Sequence, residues 1–358
     1  MLFGSKAVFA LTISAALITS CSKDDQNYKR SSVPSPTTTT EPVSSTTESA
    51  ISASVTTTPR YLYLKTGTPQ TISGKTNIVI ENLRFEKAPG VVLKISNSSN
   101  ITIRNCFFGR SGAEAIVLEG CSNVRVEKNL FTYNTTGVYA ASSKTIKVIN
   151  NQFVNVRKRA DGARGQFVQF NNVTGAGNEI SGNRGENFAG QSNPEDLINL
   201  FKTSGTAASP VLIKSNMFRG GGPSASGGGI IAGDYSGSYI AINGNTLLNP
   251  GQYGIAIAGG NNNVVTNNKI FSKQFTWSNI ALYIWMQAGS TSCTNNVIKS
   301  NRATWTNKNG ISNVAWNAGN CSGTTWEKPT PITEAELNVP AHLISFVTAA
   351  ELTQLRSR

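Results

Sequence analysis

The middle of the chain holds side chains that can transfer protons at neutral pH. Lys202 ends an apolar segment, and the cationic residues Arg184 and Arg219 flank it in the sequence. Cationic neighbours favour the neutral form of an amine, which is the form that acts as a base. Tyr239 and Tyr253 follow Lys202, and a phenol can act as the matching acid. We therefore predict a Lys/Tyr pair at the site, and either tyrosine can serve as the acid.

Acidic pairs and metal ligands are scarce. The chain has five Asp residues, two of them near the N-terminus, and one histidine, His342. Calcium takes about six to eight oxygen ligands, which no Asp-rich cluster supplies, so we predict no metal and no cofactor. Lys, Arg, Tyr and Asn or Gln can instead perform β-elimination on a uronate, because they can neutralise its carboxylate and move two protons. The alternative is an inverting hydrolase, with Asp196 or Glu195 facing Asp234 across about 6.5–9.5 Å.

A short repeat marked by asparagine must position these residues. Seven Asn residues each lie three positions after a β-branched residue, and two earlier copies have Leu83 and Cys106 instead. The intervals between the nine positions run from 22 to 33 residues, which is typical of a solenoid with insertions in selected coils. We predict an all-β protein: a right-handed parallel β-helix of about nine coils with a C-terminal cap. The Asn residues, which we interpret as stacked scaffold, are Asn129, Asn151, Asn183, Asn216, Asn245, Asn268 and Asn301.

A second strand in each coil alternates apolar and other residues, so its apolar pairs should point inward. These pairs are Val91/Leu93, Ile116/Leu118, Val138/Ala140, Val168/Phe170, Ile198/Leu200, Ile230/Ala232, Ile255/Ile257 and Leu282/Ile284. The outward columns are then Tyr139, Gln169, Asn199, Ile231, Ala256, Tyr283, and Ala141, Asn171, Phe201, Gly233, Ala258, Trp285, with Ser142, Asn172, Lys202, Asp234, Gly259 and Met286 at the strand ends.

The outward columns predict a polar and partly aromatic floor. We expect Gln169, Asn199 and Asp234 to bind substrate, and Tyr283 and Trp285 to stack on sugar faces. Tyr253 is a further candidate contact. The alternative is that the outward aromatic side chains pack beneath a loop.

Longer connections should form a wall beside this floor. The segments 154–166, 186–196, 219–228 and 271–280 all lengthen the same corner of the coil, and such loops commonly carry function on a rigid scaffold. In and beside these segments lie Arg157, Lys158, Arg159, Arg164, Arg184, Gln191, Glu195, Arg219 and Lys273. With a net charge of +13, this basic wall predicts a polyanionic partner. Arg184, Gln191 and Arg219 are the candidate substrate contacts.

The N-terminus predicts export. Lys6 precedes an apolar stretch too short to span a bilayer, and the following LITSC resembles the bacterial lipobox, which implies lipidation of Cys21. We expect a signal peptide over 1–20, a Ser/Thr/Pro-rich tether over 21–59, the β-helix over 60–328 and the cap over 329–358. A lipid anchor implies the bacterial cell envelope, with Ser22 favouring the outer membrane. Cys293 and Cys321 are about one long coil apart, so a disulfide between stacked coils is consistent with this compartment.

Several long motifs resemble one enzyme family. They are GQFVQF (165–170), GQSNPEDLINLFKTSGT (190–206), RGGGPSASGGGIIAGD (219–234), SYIAINGN (238–245), NPGQYGIAIAGG (249–260) and NIALYIW (279–285). Over about 165–321 the chain is similar to the alginate lyases of polysaccharide lyase family 31. The resemblance implies a right-handed parallel β-helix that cleaves mannuronate-containing chains by metal-independent elimination with a Lys/Tyr pair. Carried over, the pair is Lys202 in LINLFK and Tyr239 in SYIAI, with Tyr253 in GQYG as its rival.

The leading hypothesis is therefore a lipid-anchored, monomeric polysaccharide lyase that acts on alginate or another acidic polysaccharide. It would meet the membrane through its anchor alone and would not bind nucleic acid. An inverting glycoside hydrolase on the same scaffold and a non-catalytic glycan-binding protein of the cell surface are the alternatives.

Overall fold

Residues 60–158 and 165–356 form three parallel sheets that wind around a common core in a computed structural model of the chain. Each turn of chain adds one strand to sheet A, one to sheet B and one to sheet C, and each sheet has ten strands within these residues. The predicted fold, a right-handed parallel β-helix, is confirmed. Cys21, Arg159 and Arg164, for which the sequence predicts roles, lie outside the described residues.

The strands are short, and their bounds show how regularly the coils repeat. Sheet A consists of β1 (Lys65–Thr66), β4 (Leu83–Phe85), β7 (Phe107–Phe108), β10 (Leu130–Thr132), β13 (Gln152–Val154), β16 (Arg184–Glu186), β19 (Met217–Arg219), β22 (Thr246–Leu248), β26 (Lys269–Ser272) and β30 (Arg302–Trp305). Sheet B consists of β2 (Gln70–Ser73), β5 (Leu93–Ser96), β8 (Ile116–Glu119), β11 (Val138–Ala141), β14 (Val168–Asn171), β17 (Ile198–Phe201), β20 (Ile230–Asp234), β23 (Tyr253–Ile257), β27 (Ile280–Ile284) and β31 (Ala315–Asn317). Sheet C consists of β3 (Thr76–Glu81), β6 (Ser99–Arg104), β9 (Ser122–Glu127), β12 (Lys144–Ile149), β15 (Glu179–Ser181), β18 (Val211–Lys214), β21 (Ile240–Asn243), β25 (Val264–Thr266), β29 (Val297–Lys299) and β32 (Thr325–Trp326). A small fourth sheet pairs β24 (Gly260–Asn261) with β28 (Cys293–Thr294).

The asparagine ladder occupies the corner between sheets C and A. Asn183 is typical of its members: its backbone N–H and its side-chain Nδ2 both donate to Oδ1 of Asn216, at 3.0 and 2.9 Å, and Nδ2 also donates to the carbonyl of Val148. All seven Asn residues are at most 2% exposed. Each amide therefore satisfies buried backbone groups that would cost about 1–3 kcal/mol each if left unpaired.

Apolar side chains fill the interior between the three sheets. The predicted inward pairs are buried from Ile116/Leu118 onward, but the first pair, Val91/Leu93, is shifted by two residues. Leu93 and Ile95 lie in register with Ile116 and Leu118, whereas Val91 is partly exposed before β5 begins. Six phenylalanines also form a row along the core, with ring centroids 4.8–5.2 Å apart; the first five are stacked and the last is tilted: Phe85, Phe108, Phe131, Phe153, Phe167 and Phe218.

The C-terminal segment covers the side of the solenoid. After a 3-10 helix (Ala335–Leu337), the chain runs back over the outer face of sheet A and ends in helix α1 (Ala349–Arg356). Leu343, Ile344, Val347 and Leu352 pack there with four residues of the first coils, Tyr61, Phe107, Leu130 and Val154. The segment predicted as a cap thus lies lengthwise along the molecule, because sheet A offers it an apolar outer face.

The cysteines of the described residues form one disulfide and two buried free thiols. Cys293 and Cys321 form a disulfide with Cα atoms 4.7 Å apart, which joins β28 to the coil that follows. Cys106 and Cys121 are buried free thiols, and burial raises the pKa of Cys106 to about 11. No helix within the described ranges is long and apolar enough to cross a membrane.

Candidate active site on sheet B

The first outward column forms as predicted. Tyr139, Gln169, Asn199, Ile231, Ala256 and Tyr283 lie in register across six neighbouring strands of sheet B. This register places amides in the middle coils and an aromatic ring at the C-terminal side. It therefore creates the floor on which the remaining site residues are arranged.

A β-bulge breaks the second column at Asp234. Phe201 pairs with Asp234 rather than with Gly233, so the predicted places of these two residues are wrong by one position. The cause lies in the backbone: Gly233 has a φ of +67°, and a Cβ there would lie 1.9 Å from the carbonyl oxygen of Gly259. Only glycine fits such a close approach. The bulge brings the Asp234 carboxylate to the outer face of the sheet beside Asn199.

Asn199 joins two carboxylates. Its Nδ2 donates to Oδ2 of Asp196 and to Oδ2 of Asp234, each at 3.0 Å. The two oxygens therefore cannot be more than 6.0 Å apart. Asp234 also accepts a hydrogen bond from Nε2 of Gln287 at 3.0 Å, so two amides fix its orientation.

Asp196 lies behind the floor and not on it. It is 5% exposed, and its carboxylate accepts hydrogen bonds from the Tyr253 hydroxyl, from the backbone N–H of Gly228 at 2.9 Å and from Asn199. Burial raises the pKa of Asp196 to about 7, although these hydrogen bonds oppose the rise. Its position ties the 219–228 loop to the floor.

Tyr253 shares this buried position. It is 1% exposed, and burial, followed by the nearby Asp196, raises the pKa of its phenol well above 10. The structure therefore does not place Tyr253 where it would contact substrate, contrary to the prediction. Its ring meets Tyr283 edge-on at 5.4 Å, and Tyr283 stacks on Trp285 at 4.4 Å. The partly exposed Tyr283 and Trp285 form the aromatic end of the floor.

The end of β17 carries Lys202. Its side chain is exposed, its backbone is left-handed with a φ of +47°, and its Nζ lies 5.3 Å from the ring centroid of Phe201. Tyr235 packs on the same ring at 5.3 Å and is 46% exposed. Lys202 and Tyr235 are thus neighbours at adjacent strand ends. Tyr239 lies around the next corner, immediately before β21 of sheet C.

Tyr235 is the residue that sequence reasoning missed. Its signal was its position directly after Asp234, but the bulge that moves both residues by one place has no clear mark in the sequence. Among residues 60–158 and 165–356, the structure does not record a contact between Lys202 and Tyr239.

Two neighbouring amide oxygens of the floor lack protein donors. Oε1 of Gln169 and Oδ1 of Asn199 are buried and have no hydrogen-bond partner within the described part of the chain. The two residues are paired in register on β14 and β17. A buried acceptor without a hydrogen bond costs free energy, and such unsatisfied groups commonly lie at functional sites.

The predicted basic wall is divided between two surfaces. Arg219 lies on sheet A, where it pairs with Glu186 at 2.6 Å and donates to the carbonyls of Pro340 and Ala341. Its guanidinium is used by the C-terminal segment, so it does not face the floor as predicted. Arg184 is exposed on the neighbouring strand of sheet A. Lys273 pairs with Glu334 at 2.8 Å.

Gln191 stays at the corner that leads into sheet B. Its Oε1 accepts hydrogen bonds from the hydroxyl of Tyr133 at 2.8 Å and from Nδ2 of Asn155 at 3.1 Å. Glu195, in the same connection, pairs with Lys158 and accepts from the hydroxyl of Ser226. Gln191 therefore lines the wall, and Glu195 holds neighbouring loops together.

One family model and several solved structures are similar to the chain. A family model described as right handed beta helix region matches residues 71–195. No curated protein is similar to the chain in sequence. Similar solved structures include PfbA, a surface adhesin of Streptococcus pneumoniae, with 16% identity over 71% of this chain and 62% of that chain, at a TM-score of 0.48.

Two further structures share the fold at comparable distance. The Dettilon tailspike protein (gp208) has 15% identity over 75% of this chain and 60% of that chain, at a TM-score of 0.44. DFA-IIIase from Arthrobacter chlorophenolicus A6 has 17% identity over 61% of this chain and 53% of that chain, at a TM-score of 0.41. In each case the matched part spans less than two thirds of the other protein. At this level of identity, the chain is similar to all three in fold alone.

Proposed function

We propose that the protein binds an acidic polysaccharide across the outer face of sheet B and cleaves it by β-elimination. The observation that carries the proposal is the pairing of Lys202 and Tyr235 on the ring of Phe201, at the open end of the floor. A potential base and a potential acid thereby both lie against the ring of Phe201, and neither is a histidine. The sequence resemblance to alginate-cleaving lyases supports a uronate substrate, and alginate is the first candidate.

Each step of the elimination has a residue to perform it. Lys202 removes the C5 proton, the electron pair forms the C4–C5 double bond, and the glycosidic O4 departs with a proton from the Tyr235 hydroxyl. The amides of Asn171 and Asn172, which precede Lys202 by one coil, stabilise the charge that develops on the uronate carboxylate. Tyr283 and Trp285 hold sugar rings on the floor.

The defining test is the ultraviolet absorbance of the unsaturated uronate product. We expect the protein to generate this product from alginate, polymannuronate or pectate, with or without calcium. Lys202→Ala should lower turnover about 10²–10⁴-fold, as expected for a general base, and should largely retain substrate binding. If no substrate in this panel gives unsaturated product, the lyase proposal fails.

Lys94→Ala is the matched control for this experiment. Lys94 lies on β5 of sheet B, in the regular coils before the floor begins at Tyr139, and it pairs with Glu119 at 3.4 Å. Its removal takes away the same charge without touching the floor, so activity should stay unchanged. Full activity in Lys202→Ala would instead place the base elsewhere.

The Asp196–Asn199–Asp234 cluster favours hydrolysis as the second candidate. Asp196, with its pKa near 7, is a potential acid and Asp234 a potential base. Two observations weigh against this reading. Asp196 is 5% exposed, and its carboxylate already accepts hydrogen bonds from Tyr253, Gly228 and Asn199, so it is not open to a substrate. New reducing ends without unsaturation would support hydrolysis, and binding without either product would support a glycan-binding protein.

We also propose that Cys21 is lipidated and holds the protein in the bacterial cell envelope, at the outer membrane. The lipobox-like segment that ends in Cys21 supports this proposal. Metabolic labelling with a fatty acid should mark the wild-type protein and not Cys21→Ser. Equal labelling of both would contradict it.

A further inference from the structure

A second cleft lies at the corner where the chain enters sheet B, at the opposite end of the strands from Lys202. It has a volume of about 620 Å³ and is lined by Arg110, Tyr133, Arg157, Gln191 and Trp277, among others. These residues come from separate coils, since Trp277 reaches the cleft from the long connection before β27. The cleft is therefore built by successive corners of the coil, of which those with Arg157, Gln191 and Trp277 are lengthened, and not by one repeat.

Two guanidinium groups converge at Tyr133. The Cζ atoms of Arg110 and Arg157 lie 5.0 and 5.6 Å from the centroid of this ring, so the two groups are at most 10.6 Å apart. Arg157 also donates to the backbone carbonyl of Tyr133 at 3.4 Å. Cation–π contact with the Tyr133 ring therefore holds both guanidinium groups near the same point of the cleft.

The Tyr133 hydroxyl and the Gln191 amide are held in place by hydrogen bonds. Tyr133 has a left-handed backbone, with a φ of +56°, is 7% exposed and donates its hydroxyl to Gln191. Because Oε1 of Gln191 accepts from Tyr133 and Asn155, the amide is oriented with its Nε2 as the end that can donate to a ligand. The cleft thus combines two cations with one amide donor.

The electrostatics of the cleft favour an anion. Burial, followed by repulsion from Arg110, lowers the pKa of Arg157. A carboxylate or sulfate between the two guanidinium groups would relieve this repulsion and accept charge-assisted hydrogen bonds. Trp277, which stacks on Phe275 at 5.1 Å, adds a flat apolar surface of the kind that packs on a sugar ring.

We propose that this cleft binds one anionic sugar unit, bearing a carboxylate or a sulfate, of a polysaccharide that extends across sheet B. The inference rests on the proposed function for its substrate class but not for cleavage. Arg110 and Arg157 bind the acidic group, Gln191 donates to a neighbouring oxygen, and Trp277 covers the ring face. The subsite would select acidic over neutral chains and set the position of the chain relative to Lys202.

The test measures binding and cleavage separately. Titration calorimetry uses Lys202→Ala protein with an oligouronate, a sulfated oligosaccharide and a neutral oligosaccharide of equal length. We expect Arg110→Gln and Arg157→Gln each to raise the Kd for an acidic oligosaccharide about tenfold or more, as for loss of a charged hydrogen bond. The neutral oligosaccharide should bind weakly and show no such dependence. If the Kd rises for the oligouronate, the bound group is a carboxylate; if it rises for the sulfated oligosaccharide, the bound group is a sulfate.

Arg104→Gln is the matched control, because Arg104 is an exposed arginine paired with Glu81 on sheet C, far from the cleft in the coil. The double variant Arg110→Gln/Arg157→Gln should lose more affinity for the acidic oligosaccharide than either single variant. A double variant whose Kd stays within twofold of the control would overturn the inference. In that case unsaturated product from the wild type would leave the lyase proposal intact, whereas arginine-dependent binding without any product would remove the lyase proposal alone.

Discussion

The first coils and the middle coils share one scaffold but differ at sheet B. From β2 to β11 the connections are short, and the outward residues of sheet B include ordinary surface pairs such as Lys94 with Glu119. From β14 to β27 the sheet carries a bulge, the buried carboxylate of Asp196 and long corner loops. The ladder begins at Asn129 in the first coils, after Leu83 and Cys106, and then runs without a break through the middle coils to Asn301. The scaffold therefore tolerates irregularity on one sheet because a different corner holds the coils together.

The largest expected effect concerns the choice of tyrosine. Tyr235 lies on the bulged strand end beside Lys202, whereas Tyr239 lies at a regular corner before sheet C. We predict that Tyr235→Phe lowers kcat by about 10²–10⁴-fold through loss of the proton donor and that Tyr239→Phe changes it little. Steady-state assays of product absorbance measure both. The reverse result would assign the proton donor to Tyr239 and would show that the reaction does not depend on the residue beside the bulge.

The next effect tests whether the ladder is equivalent in both regions. Asn151→Ala and Asn216→Ala each remove the acceptor for a buried backbone N–H and a buried amide, so each should lower the free energy of unfolding by about 3 kcal/mol or more. Asn243→Ala, which removes one exposed hydrogen bond to Thr266, should cost less than about 1 kcal/mol. Chemical denaturation provides the values. A much smaller cost for Asn216 would show that the irregular coils have their own support.

The last effect is a pH dependence of stability that belongs to the middle coils. The folded-state pKa of Asp196, about 7, exceeds that of an unfolded Asp, about 3.9. Between these values the folded protein binds more protons than the unfolded chain, so this group's stabilising contribution is complete below about pH 4 and is lost as the pH rises through about 7. Denaturation at several pH values should show this decline, and Asp196→Asn should flatten it. An unchanged slope in the variant would assign the decline to another group.

Much of the fold was predictable because it depends on local repetition. The Asn positions, the inward pairs after the first coil and the Tyr139–Tyr283 column all follow from side-chain alternation, which the sequence carries directly. The bulge depends instead on the approach of Gly233 to the backbone of Gly259 one coil later, which no local pattern encodes. For the same reason the roles of Tyr253 and Arg219 were misplaced. Each is decided by distant partners, Asp196 and the C-terminal segment respectively.

The C-terminal segment changes how the solenoid can come apart. In a simple repeat protein each coil contacts only its neighbours, so fraying can begin at either end independently. Here residues 343–352 lie against Tyr61, Phe107 and Leu130 of the first coils, while Arg302 of the last strand of sheet A holds Glu336 at 2.8 Å. The last turns of chain are thereby fastened to the first. Loss of either end exposes apolar surface at the other, so the stack behaves as one cooperative unit rather than as a row of separable layers.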